Sequence, residues 1–346
     1  MLKRCDYFLE ANNWQQPKLA QGDAVRYGLQ AAARQPLVTA PFFDPELWKE
    51  ELAQPEEAQQ EEAAQPLFHL NPNEDNLLLR LGRQLFEVPA RNMFYLSGDA
   101  FWGEGQAHLA ERKYPFQAGL IDHTHHTVHR IAYYPPPDAL QQLFGQSPLN
   151  EDYYFALSAQ AQGHYYSGLE PPESPLPIPA SPSDRQWLSR MSSWPLRKGE
   201  CHLVPAGTLH TTGTGGQLLH LQTAPALFRQ FITGKEEQQE PQLDLPGAQL
   251  WEMIRESALG TRGSGGAPLT GSLTHEMFSL ARGQSKALPA SLAMALIPVK
   301  GEVEIIGPEQ WGGLAKAGVF LLLPAAGRPV QIRALSAVEA ILIIPT

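Results

Sequence analysis

Cysteine is nearly missing from this chain: Cys5 and Cys201 are its only two, and they lie far apart in 346 residues. That excludes a disulfide framework and a thiolate zinc site, and it points to a reducing compartment, the cytoplasm. Long apolar runs are missing as well, since nothing approaches the roughly 18 residues that a membrane-crossing helix needs. The opening MLKRCDYFLEANNWQQ carries basic residues but no apolar segment behind them, so no export signal is expected. Positive charge is scarce, with 26 Lys and Arg against 36 Asp and Glu, a formal net charge of −10. Such a balance argues against nucleic acid or an acidic membrane face as a partner, and leaves room for a local basic pocket.

Proline and glycine are plentiful, at 31 and 29, beside a hydrophobic fraction of 43%. The combination suits a folded core made of many short strands joined by turns. Residues 1–66 read as a mixed segment, with a helix expected around Gly22–Arg34, where Asp23 caps the first turn. A Glu/Gln/Ala-rich stretch at Trp48–Gln65 follows, either a solvated helix broken at Pro55 or a disordered loop. Residues 67–225 carry short apolar runs (NLLLRLG, QLFEVP, DYYFALSA, CHLVPAG, QLLHLQT) at the spacing of a sandwich or barrel. The proline-rich Glu170–Pro182 interrupts them as an exposed loop of polyproline character. Residues 226–270 look like a helical insert, QLWEMIRESAL, followed by a Gly-rich hinge. Residues 271–346 return to strands and read as a second, smaller β-barrel.

The sharpest local signal is Gly199, then Pro205, Gly207 and His210, in the spacing G-x5-P-x-G-x2-H. Pro205 and Gly207 shape a tight turn between two strands, and the imidazole on the second strand points into a barrel. This spacing is similar to the second motif of cupins, whose fold is a jelly-roll β-barrel. The cluster His123, His125, His126 and His129 is read as a surface loop running into a strand, because alternation divides it between two faces. Tyr133, Tyr134, Tyr153, Tyr154, Tyr165 and Tyr166 read as core or pocket lining.

The stretch WPLRKGECHLVPAGTLHTTGTGGQLLHLQTAP resembles the metal-ligand strands of class I mannose-6-phosphate isomerases. APFFDPELW, PNEDNLLLRLGRQLFEVPARNMFYL, KYPFQAGLID, PPPDALQQLFG, NEDYYFALSA, LIPVKGEVEII and VFLLLPAAGRPVQIRA resemble further segments of that family in the same order. The resemblance implies a mostly β protein, a cupin barrel with a second smaller barrel and a few helices. It implies interconversion of mannose 6-phosphate and fructose 6-phosphate, zinc as cofactor and a sugar phosphate as partner. In the family, zinc is held by a Gln and a His of one strand, a Glu, and the His of a P-A-G-T-x-H turn. Carried over by residue, the Gln position is Ala132, the His position Tyr134, the Glu is Glu151 and the last ligand is His210.

Two of those four side chains are thus poor or impossible zinc ligands. A rebuilt site of Glu151, His210 and His220 is one way out, since Leu218, His220 and Gln222 share a strand face. Arg130, Lys198 and Lys235 are the candidates for a phosphate, and no catalytic residue is assigned. Three readings stand: an isomerase with an altered metal site, a non-catalytic sugar-phosphate-binding or regulatory cupin, and another cupin enzyme using the site around His220.

Overall fold

Alternation between two faces is the rule along the strands of this chain, and the core positions follow from it. In Val330–Ala334, for example, Val330, Ile332 and Ala334 are buried while Gln331 and Arg333 are exposed. The computed structural model describes residues 3–4, 37–38, 66–70, 76–81, 84–89, 116–122, 131–145, 151–169, 184–223, 230–231, 253–254, 273–289, 293–307, 312–318, 320–323, 325 and 330–345. The expected helix at Gly22–Arg34, the Glu/Gln-rich stretch, the proline-rich loop, the histidine cluster and the Gly-rich hinge lie outside them. So does the insert helix, apart from a helical pair at 253–254.

The described strands run in this order. β1 (Lys3–Arg4), β2 (Leu37–Val38), β3 (Pro66–Leu70), β4 (Asn76–Leu81) and β5 (Gln84–Pro89) come first. β6 (Gln117–Asp122), β7 (Ala132–Tyr133), helix α1 (Pro137–Phe144), β8 (Glu151–Ala159), β9 (His164–Leu169) and helix α2 (Asp184–Leu188) follow. Next are β10 (Met191–Pro195), β11 (Cys201–Pro205), β12 (Leu209–Thr212), β13 (Gly216–Gln222) and β14 (Gln230–Phe231). The chain ends on β15 (Leu273–Leu280), β16 (Ser285–Leu288), β17 (Met294–Lys300), β18 (Glu302–Ile306), β19 (Gly312–Lys316), β20 (Leu321–Leu323), β21 (Val330–Ala334) and β22 (Val338–Pro345). The mostly β architecture expected from the sequence is what these elements make.

Two compact units divide the chain, residues 52–69 with 116–271, and residues 1–51 with 70–115 and 272–346. The first unit is a two-sheet barrel, one sheet ordered β10-β9-β12-β7-β14 and the other β11-β8-β13-β6-β3. Its interior is lined by Tyr154, Ala156, Tyr165, Leu196, Val204 and Leu218. The opposite face of the β12-β7 sheet carries Tyr133, Leu209 and Met191, capped by Trp187 of α2 and by Ile254. Helix α1 begins with Pro137 at its first position and ends at Gly145, whose φ of 67° supplies the left-handed closing residue.

The second unit has an eight-stranded sheet, β1-β5-β4-β2-β20-β17-β22-β15, and a four-stranded one, β16-β21-β18-β19. Its core joins both, with Leu296 and Leu342 from the larger sheet and Val303 and Ile332 from the smaller. β4 and β5, which fall within residues 67–225, hydrogen-bond into the sheet of the carboxy-terminal strands. An apolar run specifies a strand but not the edge on which it pairs.

One turn in this unit supports a test. Gly301, between β17 and β18, has φ +80°, and a Cβ there would lie 2.2 Å from the Ala337 carbonyl oxygen. Gly301→Ala is expected to lower stability by about 2–3 kcal/mol, read as a lower urea midpoint. An unchanged midpoint would mean that the turn relaxes.

Candidate functional site

The site is built from alternate residues on four strands of the first barrel. On β8 the inward set is Asp152, Tyr154 and Ala156. On β13 it is Leu218, His220 and Gln222, in register so that Gln222 stands opposite Asp152 and His220 opposite Tyr154. β12 belongs to the other sheet and sends His210 inward, with Ala132 of β7 its direct neighbour across the ladder. The turn singled out in the sequence sets this side: Gly207, φ +84°, donates its N–H to the Tyr134 carbonyl at 2.7 Å. One turn therefore places both His210 and Tyr134.

These side chains converge on Asp152, which is 1% exposed. His210 reaches across from the facing sheet, with Nε2 3.1 Å from Asp152 Oδ2, and His220 Nε2 stands 3.1 Å from Oδ1. Tyr154 donates its hydroxyl to Oδ2 at 3.3 Å and Tyr134 donates to Oδ1 at 3.5 Å. Gln222 Nε2 in turn donates to the Tyr134 hydroxyl at 2.5 Å. The rings are ordered by stacking: Tyr154 lies on His220 at 4.6 Å with planes 6° apart, and Tyr134 on His210 at 5.9 Å and 18°. Burial alone would raise the Asp152 carboxyl. The charge of His220 and the hydrogen bonds of His210 and His220 outweigh it and hold that carboxyl well below the usual carboxylate range. Burial, with the Asp152 charge adding to it, pushes the neighbouring Tyr165 phenol up.

The three side chains expected to share a metal do not come together. His210 and His220 meet, but the carboxylate between them is Asp152. Glu151 accepts the Tyr153 hydroxyl at 2.8 Å, and its backbone N–H donates to Thr223 Oγ1 at 2.9 Å. The reason is the two-residue period: 151 and 152 lie on opposite faces of β8. Sequence reasoning missed Asp152 because both faces of EDYYFA are aromatic-rich, so alternation could not choose the phase. Ala132 and Tyr134 face the same interior as His210. Among the candidates for a phosphate, Lys198 is exposed in the turn between β10 and β11, whereas Arg130 and Lys235 lie outside the described residues.

An ionised carboxylate offers about four lone-pair positions, and Asp152 already accepts three hydrogen bonds, with the His220 imidazole 3.1 Å from Oδ1. The Nδ1 of His210 faces the Thr208 carbonyl at 3.1 Å, and its Nε2 faces a carboxylate oxygen. Ala132 brings no donor. Among the described residues no group of three His, Cys, Asp or Glu is arranged to hold a metal ion. The described side chains of this cluster do not fit zinc.

No protein-family profile and no curated protein matches the sequence. Solved structures do. A mutant of phosphomannose isomerase from Salmonella typhimurium superposes with a TM-score of 0.62 at 11% identity, covering 90% of this chain and 99% of that one. A second mutant of the same enzyme gives 0.61 at 12% identity over 90% and 100%. A zinc-bound mannose 6-phosphate isomerase gives 0.57 at 12% identity, covering 80% of this chain and 90% of that one. At such identities the likeness is one of fold: a cupin-type barrel protein, mostly β, as expected. Among the described residues no helix is long and apolar enough to cross a membrane.

Proposed function

We propose that this chain is a sugar-phosphate protein of the mannose-6-phosphate isomerase kind, interconverting mannose 6-phosphate and fructose 6-phosphate. The observation that carries the reading is the buried proton-handling cluster of Asp152, His210, His220 and Tyr154 inside a barrel of that fold. Aldose–ketose interconversion moves a proton between neighbouring carbons while a carbonyl becomes a hydroxyl, which calls for a base and a proton donor side by side. His220 is the more open of the two imidazoles, its side chain 12% exposed against 2% for His210, and is the better placed to meet a sugar. Arg130, Lys198 and Lys235 are the groups proposed to hold the phosphate, and the cytoplasm is the compartment proposed.

The test is a coupled assay of fructose 6-phosphate formation, run with and without added zinc. Turnover is expected, with His220→Ala lowering kcat by about 100-fold or more. Absence of turnover in folded protein that still binds mannose 6-phosphate would favour a second reading, a non-catalytic or regulatory sugar-phosphate cupin. A specific observation favours that second reading: Ala132 and Tyr134 stand at the Gln and His positions of the resemblance.

A further inference from the structure

We propose that the first barrel is organised around a metal-free centre, in which the Asp152 carboxylate, bridged by His210 and His220, joins the two sheets in the way a bound metal joins its ligands. The joining is literal, because His210 comes from the β12 sheet while Asp152 and His220 come from the β8-β13 sheet. Oδ2 takes two hydrogen bonds, from His210 Nε2 at 3.1 Å and the Tyr154 hydroxyl at 3.3 Å, and Oδ1 takes one from the Tyr134 hydroxyl at 3.5 Å, with His220 Nε2 in ion-pair contact at 3.1 Å. Three hydrogen bonds and that contact occupy most of the acceptor capacity of an ionised carboxylate. A metal could enter only by displacing donors that are themselves buried, and stripping a buried polar group of its partner is unfavourable.

The histidine chemistry agrees. The Thr208 carbonyl only accepts, so His210 Nδ1 carries a hydrogen, and the other ring nitrogen faces an oxygen of Asp152. Both ring nitrogens of His210 therefore already have a partner, and a metal at Nε2 would have to displace Asp152. Tyr134 closes the remaining side. Its ring lies on His210, and its hydroxyl accepts from Gln222 while donating to Asp152, so that oxygen is committed in both directions. His210 also stands opposite Ala132, which supplies no donor from the strand beside it.

The experiment uses the full chain, purified without added metal. Its zinc content is measured by elemental analysis before and after dialysis against zinc chloride. Thermal unfolding is followed in buffer, with EDTA and with zinc chloride, and the ring nitrogens of His210 and His220 are observed by 15N NMR in the same three conditions. The expected result is zinc well below one per chain, one unfolding midpoint in all three conditions, and histidine resonances that zinc leaves in place. One retained zinc per chain, with a midpoint several degrees higher that EDTA reverses and with shifted ring nitrogens of His210, would overturn the proposal. Sugar-phosphate turnover is read separately: turnover indifferent to EDTA leaves the metal-free centre standing, and turnover that requires zinc overturns it while supporting the isomerase reading.

Discussion

Asp152→Ala should be among the most damaging single substitutions in the first barrel, lowering stability by about 3–5 kcal/mol as breaking a buried, hydrogen-bonded charge network does. The magnitude follows from what the change leaves behind. His210, His220, Tyr154 and Tyr134 all direct polar atoms at the Asp152 oxygens, and the change leaves them without that partner in a largely buried site. The contact from β12 to β8 across the barrel would go with it. Urea unfolding of the variant checks this, and a loss under about 1 kcal/mol, the ordinary value for one hydrogen bond, would mean that the cluster is not a network.

The same network has an acid signature. The Asp152 carboxyl is held below its ordinary range, so the folded state binds a proton there less readily than the unfolded chain does. The stability it contributes is therefore present above the unfolded carboxylate value, about 3.9, and is lost as pH falls from there toward the lower folded value. Asp152→Asn removes that carboxyl, so the stability difference between native sequence and variant should shrink as pH drops below about 4. Midpoints measured at several pH values report it, and a gap that widens in acid would contradict the assigned charge state.

The second large effect is a gain. Ala132→Gln together with Tyr134→His should give the first barrel a zinc site beside His210. Ala132 is the cross-strand neighbour of His210, and Tyr134, stacked on that ring, shares its face. The two changes would add an amide oxygen and an imidazole beside His210, and would also remove the Tyr134 hydroxyl from Asp152 Oδ1. With His210 and Asp152 that makes four donors, the number a tetrahedral site requires. One zinc per chain is expected, lost again when His210→Ala is added. A double variant that folds and takes up no zinc would show that 132 and 134 are not the positions on which a metal site turns.

Several features of this protein were legible in the residues alone. Short apolar runs bounded by Pro and Gly specify strands because the two-residue period and the turn chemistry are local properties. Pro205 and Gly207 specify a turn, and His210 falls on the inward face of the strand after it for the same local reason. The shared face of Leu218, His220 and Gln222 is likewise a matter of counting by two.

What lay beyond the sequence is whatever depends on partners distant in the chain. Glu151 and Asp152 are adjacent carboxylates on a strand aromatic on both faces, and only the barrel's closure against β12 decides that Asp152 meets His210, 58 positions away. Strands β4 and β5 carry the same apolar signature as those of the first barrel, yet they pair into the other unit, because a strand's hydrogen-bonding edge is identical whatever its side chains. The residue types at 132 and 134 were evident from the start. That a tyrosine there closes a ring of donors around one carboxylate is a consequence of two sheets facing each other, which only the tertiary structure decided.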